Sequence, residues 1–468
     1  MRRFILPTIL LIMFLCGGTS QNIPQPKFII YCLSLIIIPL ALLDSLKVKV
    51  VTHSERSIWT MAFLFISICI LQLIWLPPSV WSLLPGRDII MTGYELTGLE
   101  LPWLPISMTP EITLYSLLDF LPPIAVFTYI LSFASVKEIN TSIYCLMGIS
   151  ILFAVLGFAQ TLSGSQSLYP YSVSNFGRPT AFFTNTNHFA TLLLMTMCFS
   201  LHFMAIDHGS GMSSIILRKT PNFILFGGCT IFLMLGVIST KSLAGIGILA
   251  VLLSAHLAIY GRLTWLKSSN NILRFSISIL IFAIVIFLIL DVFLKGNLLV
   301  DVFDIIKGES DFSRKKIYPE VLKLIPTYLP FGAGLGSFEQ IYSVDRSLEQ
   351  TIGQFVNHAH NDYLELFVEF GLFAFLFIGL FLKWWLQAWK STFALMTKFY
   401  GQFYSLRVPA LLAIGVFLMH SIVDYPARTI TITCFIAYCL GIICKTERQQ
   451  IPTQGSAVKP KSKVSIAL

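Results

Sequence analysis

Apolar runs of roughly twenty residues, broken by short polar stretches, recur along the chain near 4–20, 28–46, 58–76, 113–135, 141–162, 189–206, 222–240, 242–260, 273–294, 368–389, 408–424 and 428–444. Each is about the length a helix needs to cross a hydrocarbon layer of ~30 Å. The pattern predicts an all-α polytopic membrane protein with about twelve transmembrane helices. Residues 1–444 form its membrane domain, one large helical periplasmic loop at 295–367 lies within that domain, and 445–468 follow as a polar, disordered cytoplasmic tail. The first run, after Arg2 and Arg3, also resembles a secretory signal. Within the large loop, 313-SRKKIYPEVLKLIP-326 brings Ile317, Val321, Leu324 and Ile325 to one face, which predicts an amphipathic helix on the bilayer surface.

Composition agrees with a lipid environment. Of 468 residues 56% are hydrophobic and 12% charged, and the mean hydropathy is +0.79, whereas soluble domains carry roughly 25% charge. A net charge of +9 would suggest nucleic acid in a soluble protein; here Lys and Arg gather on alternate sides of the spans, as cytoplasmic loops require. Both termini are therefore expected inside, and nucleic acid is not an expected partner. The nine cysteines all fall in apolar runs, so buried packing is expected rather than a disulfide framework or a zinc site. In loop 77–111, rich in Pro and Trp, the aromatics are expected to anchor at headgroups.

The sharpest chemistry lies in 357-NHAHNDYLELFVEFGLF-373, just before an apolar run. His358 and His360 could share a metal, but no third His or Cys is near, so no metal and no cofactor is expected. His and Asn could instead simply cap the incoming helix. The functional reading puts His360 in the first turn, where the positive helix end keeps the imidazole neutral and able to accept a proton. Arg178 in 177-GRPTAFFTNTNHFATLL-193 and Arg314 at the head of the loop helix sit outside, against the charge rule, which points to an anionic ligand. Lys241 occupies a turn between two spans; 330-PFGAGLGSF-338 reads as a tight turn; Asp424 is expected to pair with Arg428.

Taken in order, GRP…F-x-N-x-N-H, the S-T-x-S turn, the Arg-led helix with its glycine run, HNDYLEL…G and HSxVDYP resemble the O-antigen ligase and polymerase superfamily over about residues 170–430. His360, Asn361 and Gly371 satisfy its His-Asn, nine residues, Gly spacing; the chain departs at Ala374, and offers Lys241 and Leu243 where many relatives have Arg. The resemblance implies a metal-independent, inverting glycosyltransferase of the bacterial inner membrane. It would move a glycan from a polyprenyl-diphosphate carrier to an acceptor hydroxyl on a glycan or lipid core at the periplasmic face. It makes His360 the base, Arg178 and Arg314 the diphosphate clamp, and Lys241, His358, Asn361 and Asn187 substrate-binding residues. Ligase, polymerase and protein-glycosylating members would use the same residues. A transporter of a small anion such as bicarbonate is the alternative from another class.

Overall fold

The computed structural model describes residues 2–20, 24–45, 51–173, 176–209, 221–265, 314–345, 356–396 and 406–449. These are nearly all helical, and the chain is a multi-pass membrane protein. Among them seven helices are long and apolar enough to cross a bilayer: Gln25–Ser45, His53–Gln72, Pro110–Ser132, Val136–Ser163, Thr186–Ala205, Leu243–Tyr260 and Ile430–Arg448. Shorter apolar helices occupy Ile5–Cys16, Ile224–Ser239 and Arg407–His420. The expected span at 273–294 and the tail beyond 449 lie outside the described residues. The expected span 368–389 is two helices, Asp362–Phe370 and Phe373–Met396, separated at Gly371. That glycine has φ +55°, and a Cβ there would lie 2.3 Å from the Pro330 carbonyl oxygen. Leu372 N donates to the same oxygen at 3.0 Å, so the chain turns away there instead of continuing.

Thr186–Gly209 is the central helix. Apolar all round, it is enclosed by Pro221–Ser239, Leu243–Trp265, Arg407–His420 and Val136–Ser163. Its hydroxyls are satisfied between helices: Thr196 with Ser150 at 2.9 Å and Ser200 with Thr230 at 2.8 Å. Such links contribute about 0.6 kcal/mol each in lipid, and close packing does the rest. Gly157, Gly236 and Gly441 supply that closeness, since a Cβ at each would come within 3 Å of Pro179, Leu193 and Ile130. By contrast Gln25–Ser45 leaves most of its apolar surface uncovered, as a helix facing lipid does. Cys32 on it is exposed and Cys16 and Cys145 are half-exposed, so buried packing holds for six of the nine thiols.

The segment Ile5–Cys16 is built into the core: Leu6 N donates to Glu138 Oε1 at 3.0 Å, and Thr431 N donates to Gly17 O at 3.0 Å.

At one end of the bundle a cap is formed by Arg314–Thr327, Phe338–Asp345 and Asp362–Phe370. The first of these was expected on the bilayer surface, but its apolar face is spent on protein. Ile317, Val321 and Leu324 are buried with Phe338, Ile341, Val356 and Val368. The glycine run is a turn with Gly332, Gly334 and Gly336 all at positive φ. A side chain at Gly332 would collide with the Glu369 backbone, so the turn can lie flat on helix Asp362–Phe370. Gln72 pins it there, donating to Phe331 O and Glu369 O and accepting from Leu335 N. Trp75–Leu76 and Leu104–Pro105 form a short antiparallel ribbon beside the cap. In that loop Trp81 is fully buried while Trp75 and Trp103 are exposed.

Candidate active site

Helix Asp362–Phe370 starts where Asn361, with extended backbone, accepts from Tyr363 N and Leu364 N at 3.0 Å. The capping expectation therefore falls to Asn361, and His360 lies before the helix rather than in its first turn. Its φ of +51° is a left-handed conformation that a side chain adopts at a cost of about 1–2 kcal/mol. The strained turn places the His360 carbonyl at 3.0 Å from Tyr318 Oη, one turn after Arg314 on the loop helix. Tyr318 thus fixes the Arg314 helix against the histidine.

The His360 ring faces Asp424, with Nδ1 3.4 Å from Oδ1. Asp424 is fully buried, and His188 Nε2 approaches the same oxygen at 3.9 Å. Burial pushes its carboxyl up, but the hydrogen bond from His360 and the positive potential of His188, His360 and His420 outweigh that and hold it well below the usual carboxylate range. An ionised Asp424 beside Nδ1 favours the tautomer that leaves Nε2 free to accept a proton. The sequence paired Asp424 with Arg428; the structure does not. Arg428 reaches Glu369 Oε2 at 2.8 Å and Glu365 Oε1 at 3.3 Å, because the short 3-10 turn Pro426–Arg428 directs it to helix Asp362–Phe370. Burial works against its charge, yet the two carboxylates hold its proton more tightly than usual.

His358 belongs to that second network, with Nδ1 2.8 Å from Glu365 Oε1. Glu365 is raised by burial but lowered further by Arg428 and His358, so it stays ionised; Glu369 is raised, chiefly by burial. Asp362 is pushed up to about 8 by burial, against Arg428 and hydrogen bonds from Ala427 N and Ser421 Oγ. Its Oδ1 is sealed from solvent with no hydrogen-bond partner among the described residues.

Tyr425 joins the two networks. Its ring centroid lies 4.3 Å from His358, 5.0 Å from His360 and 4.8 Å from His188. Asn185 Nδ2 donates to its hydroxyl at 3.4 Å, which brings in the Arg178 segment. Thr186 Oγ1 donates to Pro179 O and Thr240 O, tying Arg178's neighbour to the Lys241 turn. Asn187 lies in the first turn of the central helix, its N–H donating to Asn185 Oδ1 at 2.8 Å. Fold thus gathers the segments carrying Arg178, Asn187, Lys241, Arg314, His358, His360 and Asn361 around one loop. Ala181, Lys241 and His360 are the three non-glycine residues with positive φ among the described residues, and all three lie in these segments. Such strain persists where the surroundings over-determine it, and it concentrates at functional sites.

Sequence reasoning gave no role to Asp424 as the partner of His360, nor to His188, Glu365, Glu369 or Tyr425. All stand in quoted motifs, and the spacing of Glu365 and Glu369, one helical turn apart, marks a shared face. Among the described residues no group of three or more His, Cys, Asp or Glu is arranged to hold a metal ion.

A half-buried histidine against a fully buried carboxylate, where the segments carrying Arg178, Lys241 and Arg314 meet on a bundle of membrane helices, forms a site suited to proton abstraction beside an anionic group. Residues 228–379 match the family model described as O-Antigen ligase, and this supports the O-antigen ligase and polymerase superfamily for the chain. The matched stretch contains Lys241, Arg314, His358, His360 and Asn361; Arg178, Asn187 and the Asp424 loop lie outside it. No curated protein matches the chain. The family supports a membrane glycan-transferring function.

Proposed function

We propose that the chain is an inverting, metal-independent glycosyltransferase of the bacterial inner membrane, using a polyprenyl-diphosphate-linked glycan as donor. Its acceptor is a hydroxyl of a glycan or lipid core at the periplasmic face. The observation that carries this reading is the His360–Asp424 pair at the meeting point of the Arg178, Lys241 and Arg314 segments. His360 Nε2 takes the acceptor proton while the acceptor oxygen bonds to the anomeric carbon from the face opposite the diphosphate. The bond from that carbon to the diphosphate oxygen breaks, and the polyprenyl diphosphate leaves as an anion. Arg178 and Arg314 receive the charge with planar, two-pronged hydrogen bonding, and Lys241 adds a point charge. Asp424 holds the imidazole in register and stabilises the imidazolium as it forms.

The test is transfer from a purified polyprenyl-diphosphate donor by the purified chain. Arg178→Lys and Arg314→Lys keep charge but lose the fork, and each is expected to lower the rate about tenfold or more. A chelator is expected to leave the rate unchanged. Full activity in both lysine variants, or abolition by the chelator, overturns the clamp.

A further inference from the structure

The loop between spans His53–Gln72 and Pro110–Ser132 carries apolar side chains that the described residues leave uncovered. Leu96 and Leu83 are 84% and 82% exposed, above Leu162 at 78%, the most exposed large apolar side chain on the membrane-crossing helices. Ile89, Leu99 and Trp103 are each more than half exposed. Apolar groups gathered this way outside a span mark a surface that something covers.

Helix Asp88–Thr97 shows how the surface is built. Helix Arg314–Thr327 buries its apolar face in the cap, whereas Asp88–Thr97 buries no side chain at all. Helical spacing gives it three sides. Ile90, Met91 and Tyr94 are half-buried against the protein; Asp88, Thr92 and Glu95 form a polar side; Ile89, Gly93 and Leu96 form a third, apolar and exposed. The loop has a fixed frame. Ser107 N donates to Gln72 O and Met108 N to Ala333 O, each at 2.8 Å. Arg87, itself buried, donates to Pro105 O at 2.8 Å and to Ile106 O, with its guanidinium over the Trp81 ring. The apolar side is therefore held outward by the same contacts that tie the loop to the glycine turn of the cap.

Two observations name what covers it. The loop leaves one membrane-crossing helix at Gln72 and enters the next at Pro110, so it begins and ends at the bilayer surface. Exposed apolar side chains line both junctions, Ile70, Ile74 and Trp75 at one and Leu114 and Tyr115 at the other. The second observation is charge. Residues 73–109 hold Asp88, Glu95 and Glu100, all exposed, against the single basic Arg87, which is spent on two carbonyl oxygens. An anionic lipid surface repels such a set, while a layer of headgroups without net charge admits the apolar side chains at no Coulombic cost.

We infer that this loop is an interfacial foot: helix Asp88–Thr97 lies in the headgroup layer of the leaflet nearest the cap, with Leu83, Ile89, Leu96 and Leu99 inserted, and it takes lipid of no net charge. The contact is independent of the reaction proposed above.

The test uses the full chain in nanodiscs of equimolar zwitterionic and anionic phospholipid. A benzophenone amino acid replaces Leu83, Leu96 or Thr92 in turn, and mass spectrometry identifies what each position captures on illumination. The two leucine positions are expected to capture phospholipid, the zwitterionic lipid about threefold over the anionic. Thr92, on the polar side of the same helix, should capture much less. Lipid adducts at both leucine positions with the zwitterionic lipid in excess support the proposal. At either position, an adduct to another segment of this chain or to a second copy, the absence of a lipid adduct, or no excess of zwitterionic lipid overturns it, as does equal lipid capture at Thr92.

Discussion

Two histidine–carboxylate pairs meet on Tyr425, and they differ in what the carboxylate does besides. Glu365 is shared among His358, the Ala359 N–H and Arg428, inside a network that includes Glu369. Asp424 faces His188 of the central helix, His360 in the turn before helix Asp362–Phe370, and its own neighbour's N–H; its Oδ2 has no hydrogen-bond partner among the described residues. A carboxylate tied to a guanidinium holds structure. One whose charge is opposed only by imidazoles can stabilise a proton arriving on them. The same pair of residue types thus serves architecture at His358 and chemistry at His360.

Four measurements would break or sharpen this contrast. The largest effect is expected from His360→Ala, which should lower transfer by about 10²–10⁴-fold with membrane insertion intact, while His358→Ala costs less. Near-normal turnover in His360→Ala would move the base elsewhere. Next, Arg428→Ala should cost about 3–5 kcal/mol of stability, read as a lower unfolding midpoint, because two buried carboxylates lose their counter-charge. An unchanged midpoint would remove the structural role assigned to that network. Asp424→Asn keeps the shape but removes the charge; it should reduce turnover by about 10–100-fold and shift the acidic limb of the rate profile to lower pH. A rate loss with an unmoved limb would make Asp424 a packing residue.

The fourth measurement concerns Asp362, raised to about 8. Between its unfolded value near 4 and that folded value, the unfolded chain gives up the proton while the folded chain keeps it. Stability from this group therefore falls as pH rises through that window, by up to about 1.4 kcal/mol per pH unit, and levels off above pH 8. Asp362→Asn should gain on the wild type between pH 5 and 8; parallel stability curves would show that the carboxyl is not held protonated.

Legibility in the sequence followed the range of the interaction. The cap at Asn361, the apolar face of Ile317, Val321 and Leu324 and the glycine turn depend on neighbours in the chain, and all could be read there. What covers that apolar face could not, because Phe338, Val356 and Val368 come from separate segments. The pairing of Asp424 failed for the same reason: proximity to Arg428 suggested an ion pair, but a 3-10 turn between them points the two side chains to different networks. Seven of the apolar runs are helices long enough to span, whereas those at 4–20, 222–240 and 408–424 give shorter helices, and the run at 368–389 is broken at Gly371, whose positive φ and close approach to Pro330 turn the chain where hydropathy alone shows no stop. The convergence of Arg178's segment on Tyr425 and on the Lys241 turn rests on Asn185 and on Thr186 with Thr240, none of which carries a charge that would draw notice.

The hydrogen bond from Thr431 N to Gly17 O, with Gly18 O accepting from Thr184 N, stitches early, middle and late parts of the chain at the same end of the bundle. Helices enter the membrane in order during synthesis, and Asp424 and Arg428 belong to the loop between the last two described helices. The partners of His360, Glu365 and Glu369 are therefore made about sixty residues after them, so both networks close late in the building of the chain.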